Sequence, residues 1–302
     1  MNPIEIANNF QFIQDKTIKK LNQIGVGKLD PYKKNEISKL QIPDSFMTTL
    51  PETSIDNYSL TSQDLSKIKD LNKKMSLIVK QVKKWMKPGV DIVDIDNYLY
   101  HTLCSQGIFP TMFGYDGFPK ASSISVNNII CHSVPYHYIL RDGDIVSLDI
   151  CGFVNGFHTD MAQTYCIGKC SPDNIRLVKT TEKCFYEAAN LCRPGSLYSS
   201  IGQRIEAIAV ENNCKVINGF GGHGIGRQLH MKPFISNHSS SFDNKVMKEG
   251  DMFAVEPLLC LGNGKTRKLP DNFGYITSDG SISAHFERVI LITKNGYQIL
   301  NH

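Results

Sequence analysis

The stretch DIVSLDICGFVNGFHTD, residues 144–160, contains the pattern that decides the fold. Two apolar runs flank the pair Asn155-Gly156, and Asn-Gly between such runs is a strong signal for a two-residue β-hairpin turn. Each run also carries an acid, Asp149 in the first and Asp160 in the second. We therefore predict a hairpin whose adjacent strands bring two aspartates face to face.

Helix patterns appear twice around this hairpin, once before it and once after it. In each case a helix is stopped by a basic residue, a proline and a glycine, and a further helix follows. The two stops are Lys87-Pro88-Gly89 and Arg193-Pro194-Gly195, and strand-like runs follow both. An internal duplication explains this order, so we predict two αβ halves that pair sheet to sheet around a shared cleft. The apolar periodicity predicts helices over about residues 62–86, with Ser62 as N-cap, 93–104 and 173–191, and a fourth that ends near residue 212.

Length and composition are those of an ordinary globular protein. The chain has 302 residues, of which 41% are hydrophobic and 21% charged, enough for one large domain or two smaller ones. The net charge of +4 is compatible with contact to a polyanion such as a ribosome, but it does not predict specific DNA recognition. No run approaches the roughly 20 apolar residues of a membrane span. Nine cysteines without a CxxC pair indicate reduced thiols, and the start of the chain lacks a secretory signal pattern, so we predict a cytoplasmic protein.

The start of the chain, up to Tyr58, differs in composition from the remainder. It is polar and weakly periodic, and its second half contains Pro43 and Pro51. Such a segment is typical of an extended arm or linker. We therefore predict an N-terminal extension over residues 1–58 and a catalytic domain over residues 59–302.

Two more acids lie inside apolar, strand-like runs, Glu256 in MFAVEPLLCL and Glu287 in AHFERVILIT. A single acid of this kind usually pairs with arginine or lysine, or lies in water at a strand edge. Four carboxylates in one cleft would repel each other and lose hydration, and a pair of divalent cations would offset both costs. His223, which has glycine on both sides, is a candidate nitrogen ligand, and a loop histidine in solvent is the alternative.

These segments resemble the signature segments of type I methionine aminopeptidases. The similarity covers about residues 60–301 and rests on CHSVP at 131–135, the 149–160 stretch, GGHGIGRQLH, AVEPLL and Phe286-Glu287-Arg288. The five candidate ligands occur in the family's order, which is Asp149, Asp160, His223, Glu256 and Glu287. Because no large insertion separates His223 from Glu256, type I is favoured over type II.

The resemblance implies the pita-bread fold, an α/β (α+β) architecture of two pseudo-symmetric halves with a central curved antiparallel sheet and helices outside. It implies an enzyme that removes the N-terminal methionine from nascent proteins and prefers a small second residue. It also implies two divalent cations, of which Co, Mn and Fe suit an oxygen-rich ligand set with one imidazole. In this assignment Asp149 bridges the ions or chelates one of them, Asp160 and Glu287 contact both, and His223 and Glu256 complete the coordination of the second ion.

The same resemblance assigns catalytic and substrate-binding roles. Glu256 would act as general base and then acid, His132 would contact the scissile amide, and His230 would hydrogen-bond the carbonyl oxygen. The methionine pocket would be lined by Tyr115, Phe118, Ser123, Leu229 and Phe273, for which ordinary packing is the alternative. Ser123, Leu229 and Phe273 depart from the family pattern, where cysteine, phenylalanine and tryptophan are common at these positions, so the shape of the pocket is expected to differ.

Two alternatives stay open at the level of the sequence. A proline-directed aminopeptidase or prolidase has the same fold and the same five ligands, and the GRQLH and CHSVP segments favour the methionine enzyme over it. A non-catalytic binding protein on this fold would typically have lost ligands, whereas this chain keeps all five. The expected partners are nascent polypeptide N-termini, with possible contact to a ribosome and none to a membrane, and we expect a monomer.

Overall fold

The computed structural model describes residues 53–57, 59–239 and 244–302. Short 3-10 helices lie at Ile55–Asn57, Lys83–Trp85 and Tyr115–Gly117. The α-helices of these residues are α1 (Ser62–Val82), α2 (Ile92–Ser105), α3 (Pro172–Ala189) and α4 (Ser199–Glu211).

The strands of the described residues form two larger and two smaller sheets, all with antiparallel neighbours. The larger sheets have the orders β1-β4-β2, with β5 also on β4, and β15-β14-β9-β7-β8. The smaller ones have the orders β13-β10-β6 and β11-β12-β3. The strand bounds are β1 (Phe109–Pro110), β2 (Ser123–Val126), β3 (Ile129–Cys131), β4 (Ile145–Val154), β5 (Phe157–Cys166), β6 (Lys215–Val216), β7 (Gly221–Gly224), β8 (Met231–Ser236), β9 (Met252–Val255), β10 (Leu258–Cys260), β11 (Thr266–Lys268), β12 (Tyr275–Thr277), β13 (Ser283–His285), β14 (Arg288–Thr293) and β15 (Gly296–Ile299).

Each larger sheet is covered by its own pair of helices. Buried apolar residues of α1 and α2 form one core with β4 and β5, and those of α3 and α4 form a second core with β9 and β14. The glycines that follow the first helix of each pair, Gly89 and Gly195, both adopt left-handed backbone angles, with φ of 88° and 87°. Glycine takes these angles without steric cost, which explains the repeated Pro-Gly stop. The two αβ halves therefore match the duplication predicted from the sequence.

The first helix begins and ends slightly differently from the prediction. Thr61, and not Ser62, is its N-cap, because the Thr61 hydroxyl accepts a hydrogen bond from the Asp64 amide while the Asp64 carboxylate accepts one from the Thr61 amide. This reciprocal pair is a capping box, which the Thr-x-x-Asp spacing permits. The α-helix ends at Val82, and the predicted last turn to Met86 tightens into the 3-10 helix Lys83–Trp85.

The hairpin of β4 and β5 is present, with a two-residue turn in which Asn155 and Gly156 both have positive φ. The register pairs Asp160 with Cys151, and Asp149 with Ala162. As predicted, the two aspartates face each other on adjacent strands, although neither is the direct register partner of the other. They are diagonal neighbours on one face of the hairpin, because a two-residue turn at 155–156 fixes which residues face each other.

The two halves meet where the middle of β5 contacts Glu287, the residue just before β14. Ala162 in β5 and Glu287 form an antiparallel bridge, with hydrogen bonds of 2.9 and 3.3 Å between their backbone groups. The buried guanidinium of Arg288 donates to the carbonyl oxygens of both bridged residues. This contact brings the acids of the first half next to those of the second.

The residues just before α1 pack on the domain. Ile55 is buried, Ser54 forms a parallel bridge with Lys232, and the Asp56 carboxylate pairs with Lys245 and Lys248. These residues belong to the stretch predicted as an N-terminal extension, of which the part from Met1 to Glu52 lies outside the described part of the chain. The domain boundary between positions 58 and 59 stays a prediction. Of the helices in the described residues, none combines the length and the hydropathy of a membrane span.

Candidate metal centre and apolar pocket

Three buried carboxylates and the partly exposed carboxylate of Glu256 converge from four different places in the fold. Asp149 lies in β4 and Asp160 in β5, Glu256 follows β9, and Glu287 lies between β13 and β14. The residues Asp149, Asp160 and Glu287 are 6%, 5% and 3% exposed. Asp149 Oδ1 and Glu287 Oε1 have no hydrogen-bond partner among the described residues. With His223, these acids form what we call the acidic centre.

His223 lies in β7 at a point where only glycine fits on either side. A Cβ atom on Gly222 would lie 2.1 Å from the Ala254 carbonyl oxygen, and one on Gly224 would lie 2.5 Å from that of Lys232. The glycines thus let the neighbouring strands approach until the imidazole reaches the acids. His223 Nε2 lies 3.6 Å from Glu256 Oε1 and 3.9 Å from Asp160 Oδ2.

The tautomer of His223 suits a metal ligand. Its Nδ1 atom lies 3.0 Å from the Gly224 carbonyl oxygen, to which it donates. The lone pair therefore lies on Nε2, the atom that faces the carboxylates. Burial lowers the pKa of His223 to about 4, which keeps the ring neutral at physiological pH.

The electrostatics of the acidic centre are unfavourable for free carboxylates. Burial, followed by the charges of Asp160 and Glu256, raises the pKa of Asp149 well above its ordinary value. Burial likewise raises the pKa of Asp160 to about 7, and the pKa values of Glu256 and Glu287 well above the usual range. The guanidinium of Arg288, which follows Glu287 in the chain, donates to backbone carbonyl oxygens and to Gln163. The usual arrangement of a buried acid paired with arginine therefore does not apply here.

The donor set fits divalent cations. Ligand atoms of His223, Glu256 and Glu287 lie within 4.8 Å of one another, and so do those of Asp149, Cys151 and Asp160. Carboxylate oxygens with one imidazole are suitable ligands for first-row divalent metals. Cations would also be positively charged partners for the carboxylate oxygens that have no hydrogen-bond partner.

His132 and His230 lie at the mouth of the same cavity and are accessible to solvent. The rings of His230 and His223 are 4.4 Å apart, and His230 Nδ1 lies 2.8 Å from the Tyr115 hydroxyl. His132 has a left-handed backbone, with φ of 54°. Its ring meets that of Tyr275 edge to face at 6.1 Å.

The predicted pocket residues line one wall of this cavity, beside the acidic centre. The rings of Phe118 and Phe273 pack edge to face, with centroids 5.3 Å apart. The Ser123 hydroxyl and the Leu229 side chain are buried, and Ser123 Oγ has no hydrogen-bond partner among the described residues. We call this wall the apolar pocket, formed by Tyr115, Phe118, Ser123, Leu229 and Phe273. The structure thus brings every predicted site residue to one cavity.

Comparison with known protein families supports a metal centre at these residues. A model of metallopeptidase family M24 matches residues 66–294. The chain belongs to this family.

Relatives of this M24 metallopeptidase include several methionine aminopeptidases. It is 33% identical over 240 residues to methionine aminopeptidase 1 of Bacillus subtilis, covering 80% of this chain and 97% of the relative. It is 35% identical over 216 residues to methionine aminopeptidase 1 of Saccharomyces cerevisiae, covering 71% of this chain. It spans only 56% of the length of the yeast relative and 60% of a mitochondrial methionine aminopeptidase 1D of Dictyostelium discoideum.

Solved structures agree with the sequence relatives. A methionine aminopeptidase from Rickettsia prowazekii superposes with a TM-score of 0.79 at 30% identity, over 81% of this chain and 99% of that one. A prolidase from Pyrococcus furiosus superposes at 0.64 with 18% identity, which is a likeness of fold alone. The predicted family and the pita-bread fold are confirmed.

Two cavity residues that lie against the acids of the M24 metallopeptidase were not among the site residues predicted from the sequence. The Cys151 thiol donates to Asp160 Oδ1 over 3.1 Å, and His285 Nε2 lies 3.8 Å from both Glu256 and Glu287. The alternation of side chains along a strand was the available signal. Cys151 follows Asp149 by two positions and His285 precedes Glu287 by two, so each faces the same side as its acid.

Proposed function

We propose that this chain hydrolyses the peptide bond after an N-terminal methionine. The convergence of four carboxylates, three of them buried, and one imidazole beside an apolar pocket carries this proposal. The similarity of this chain to the Bacillus subtilis methionine aminopeptidase, which extends over 97% of that relative, supports the assignment of an N-terminal methionine as the substrate. Nascent polypeptides and peptides are the natural substrates in this assignment, with a small residue preferred after the methionine.

The acidic centre would hold two divalent cations per chain, with Co, Mn and Fe as the candidates. Asp149 would contribute to one ion, His223 and Glu256 to the other, and Asp160 and Glu287 to both. Bound cations would polarise the scissile carbonyl and lower the pKa of the attacking water. Two cations also match the four carboxylate charges, which makes this stoichiometry favourable.

The proton transfers fall to residues of this chain. Glu256 takes a proton from the attacking water and delivers it to the amine that leaves when the C–N bond breaks.

Two histidines at the cavity mouth would orient the substrate. Tyr115 keeps its proton, since burial raises its pKa to about 12, and it donates to His230 Nδ1. The proton of His230 is then on Nε2, from which it hydrogen-bonds the carbonyl oxygen as that atom gains charge. His132 contacts the nitrogen of the scissile amide.

The apolar pocket would take the methionine side chain. Aromatic rings such as Phe118 and Phe273 interact favourably with a thioether sulfur. The backbone beyond the scissile bond would leave between His132 and His230, where bulky second residues meet the two rings. This accounts for a preference for a small second residue.

A peptide panel tests the substrate assignment. The metal-loaded protein should release methionine from Met-Ala-Ser and Met-Gly-Ser, and cleave Met-Leu-Ser far more slowly. Xaa-Pro dipeptides and Ala-Pro peptides should stay intact. Cleavage of the proline substrates without that of Met-Ala-Ser would replace the proposal by a prolidase. Metal binding without any cleavage would favour a binding protein on this fold.

Partners and location follow from the same proposal. Nine cysteines that are all free support a reducing compartment such as the cytoplasm, where nascent chains emerge. We propose that the protein acts there as a monomer, in contact with ribosomes through its mild positive charge. Residues 1–58 would form an extension of the catalytic domain 59–302.

A further inference from the structure

A second buried histidine lies against the acidic centre. His285 ends β13, and its side chain is 4% exposed. The Thr164 hydroxyl holds its backbone on both sides, because it accepts from the His285 amide and donates to the His285 carbonyl oxygen, each over 2.8 Å. The backbone that carries the imidazole is therefore fixed by the neighbouring strand.

The ring of His285 has no protein partner of its own. Neither Nδ1 nor Nε2 makes a hydrogen bond within the described part of the chain, although both atoms are buried. A buried polar atom without a partner costs free energy. The nearest polar atoms are carboxylate oxygens, since Nε2 lies 3.8 Å from Glu256 Oε2 and 3.8 Å from Glu287 Oε2.

The two oxygens of Glu256 thus face different imidazoles. Oε1 lies 3.6 Å from His223 Nε2, which carries a lone pair because His223 Nδ1 donates to Gly224. Oε2 faces His285, whose Nδ1 has no acceptor among the described residues that would hold the proton there. Ionised carboxylates only accept hydrogen bonds, so an imidazole beside two of them is most stable with its proton on the facing nitrogen.

We propose that His285 is a positioning residue of the acidic centre. It donates from Nε2 to Glu256 Oε2 and Glu287 Oε2. This inference rests on the proposed metal site. His285 would hold one oxygen of each glutamate and leave the other to hold a cation. A small movement of the side chains would shorten the two 3.8 Å contacts to hydrogen-bond distance.

Two variants of His285 distinguish the effect of its hydrogen bonds on metal affinity from the effect of its packing. His285→Leu removes the donor but keeps an apolar side chain of similar size, whereas His285→Gln keeps an N–H group at a similar reach. Cobalt titration of the metal-free proteins, followed by visible absorption and calorimetry, should give an affinity about 10- to 100-fold lower for His285→Leu. The affinity of His285→Gln should stay close to that of the original protein. Equal affinities for the leucine variant and the original protein would overturn the proposal.

Spectroscopy on bound Mn²⁺ distinguishes a positioning residue from a ligand. Nitrogen couplings in pulsed electron paramagnetic resonance should count the same coordinated imidazoles before and after His285→Leu. Loss of one coordinated imidazole in the variant would make His285 a ligand and overturn the inference. If the original protein binds no cation, the proposed function fails; if it binds and the variants do not differ, only the role of His285 fails.

A measurement on the unmodified protein avoids any folding defect of the variants. In the Zn²⁺-loaded protein, long-range ¹H–¹⁵N correlation spectra report the tautomer of each imidazole. His285 should carry its proton on Nε2, in contrast to His223, which carries it on Nδ1. A proton on His285 Nδ1 would contradict the proposal.

Discussion

The acidic centre and the apolar pocket share one cavity, but different physical terms determine them. In the acidic centre, buried charge dominates: Asp149 Oδ1 and Glu287 Oε1 lack partners among the described residues, and the pKa values of all four acids are raised. In the apolar pocket, contacts such as that of Phe118 with Phe273 dominate. Changes to charge should therefore affect the reaction by orders of magnitude, and changes to shape should affect substrate binding by small factors.

The largest effect is expected for Glu256→Gln. The amide cannot take the proton of the attacking water, so kcat for Met-Ala-Ser at saturating Co²⁺ should fall by about 10²- to 10⁴-fold. The far-ultraviolet circular dichroism spectrum should be unchanged. Full activity of this variant would remove Glu256 from the proton transfers.

The next effect concerns stability in the absence of cations. Burial raises the pKa of Asp160 from 3.8 to about 7, so its contribution to stability is fully present below about pH 3.8 and is lost as the pH rises through about 7. In urea unfolding with a chelator, the original protein should lose roughly 2–3 kcal/mol more between pH 5 and pH 8 than Asp160→Asn does. Saturating Co²⁺ should abolish that difference in slope. Parallel pH profiles of the two proteins in chelator would contradict the raised pKa.

A smaller effect is expected where the two regions touch, at the hydrogen bond between Tyr115 and His230. Tyr115→Phe removes the donor that orients the imidazole, and kcat should fall by about 3- to 10-fold with little change in KM. Tyr275→Phe is the matched control, because Tyr275 lines the same cavity and its ring packs against His132 and Phe220. An equal loss in both variants would argue against a specific role of Tyr115.

The smallest effect is expected inside the apolar pocket. The hydroxyls of Ser123 and Ser125 are both buried without partners among the described residues, but only Ser123 lines the cavity. Replacement of either by alanine should leave stability unchanged or raise it by up to about 1 kcal/mol, since an unsatisfied polar group is removed. Only Ser123→Ala should alter KM for Met-Ala-Ser, by about 2- to 3-fold. The same change of KM in both variants would remove Ser123 from the substrate site.

The cost of burying charge also determines which site residues the sequence could predict. Acids inside apolar runs stand out because burial of charge is costly, so Asp149, Asp160, Glu256 and Glu287 were identifiable from local pattern and family order. The repeated Pro-Gly stops likewise identified two halves, since Gly89 and Gly195 take left-handed angles that favour glycine.

Other features depend on long-range geometry that local patterns do not contain. The bridge of Ala162 with Glu287 joins segments that are distant in the chain and determines which side chains surround the acids. Alternation along the strand places His285 on the same side as Glu287, but the contact of that side with the acids of the first half depends on this junction. The diagonal position of Asp149 and Asp160 did follow from the turn at 155–156, and stricter use of the register rule would have predicted it.

The four acids of the acidic centre are expected to be ionised together only when cations are bound. Calorimetric titration of the chelator-treated protein with Co²⁺ at neutral pH, in buffers of different ionisation enthalpy, tests this expectation. Two cations per chain should bind with release of protons from the acids, and binding should be strongly weakened in Asp160→Asn. No bound cation, or binding with no proton release and no effect of Asp160→Asn, would contradict it.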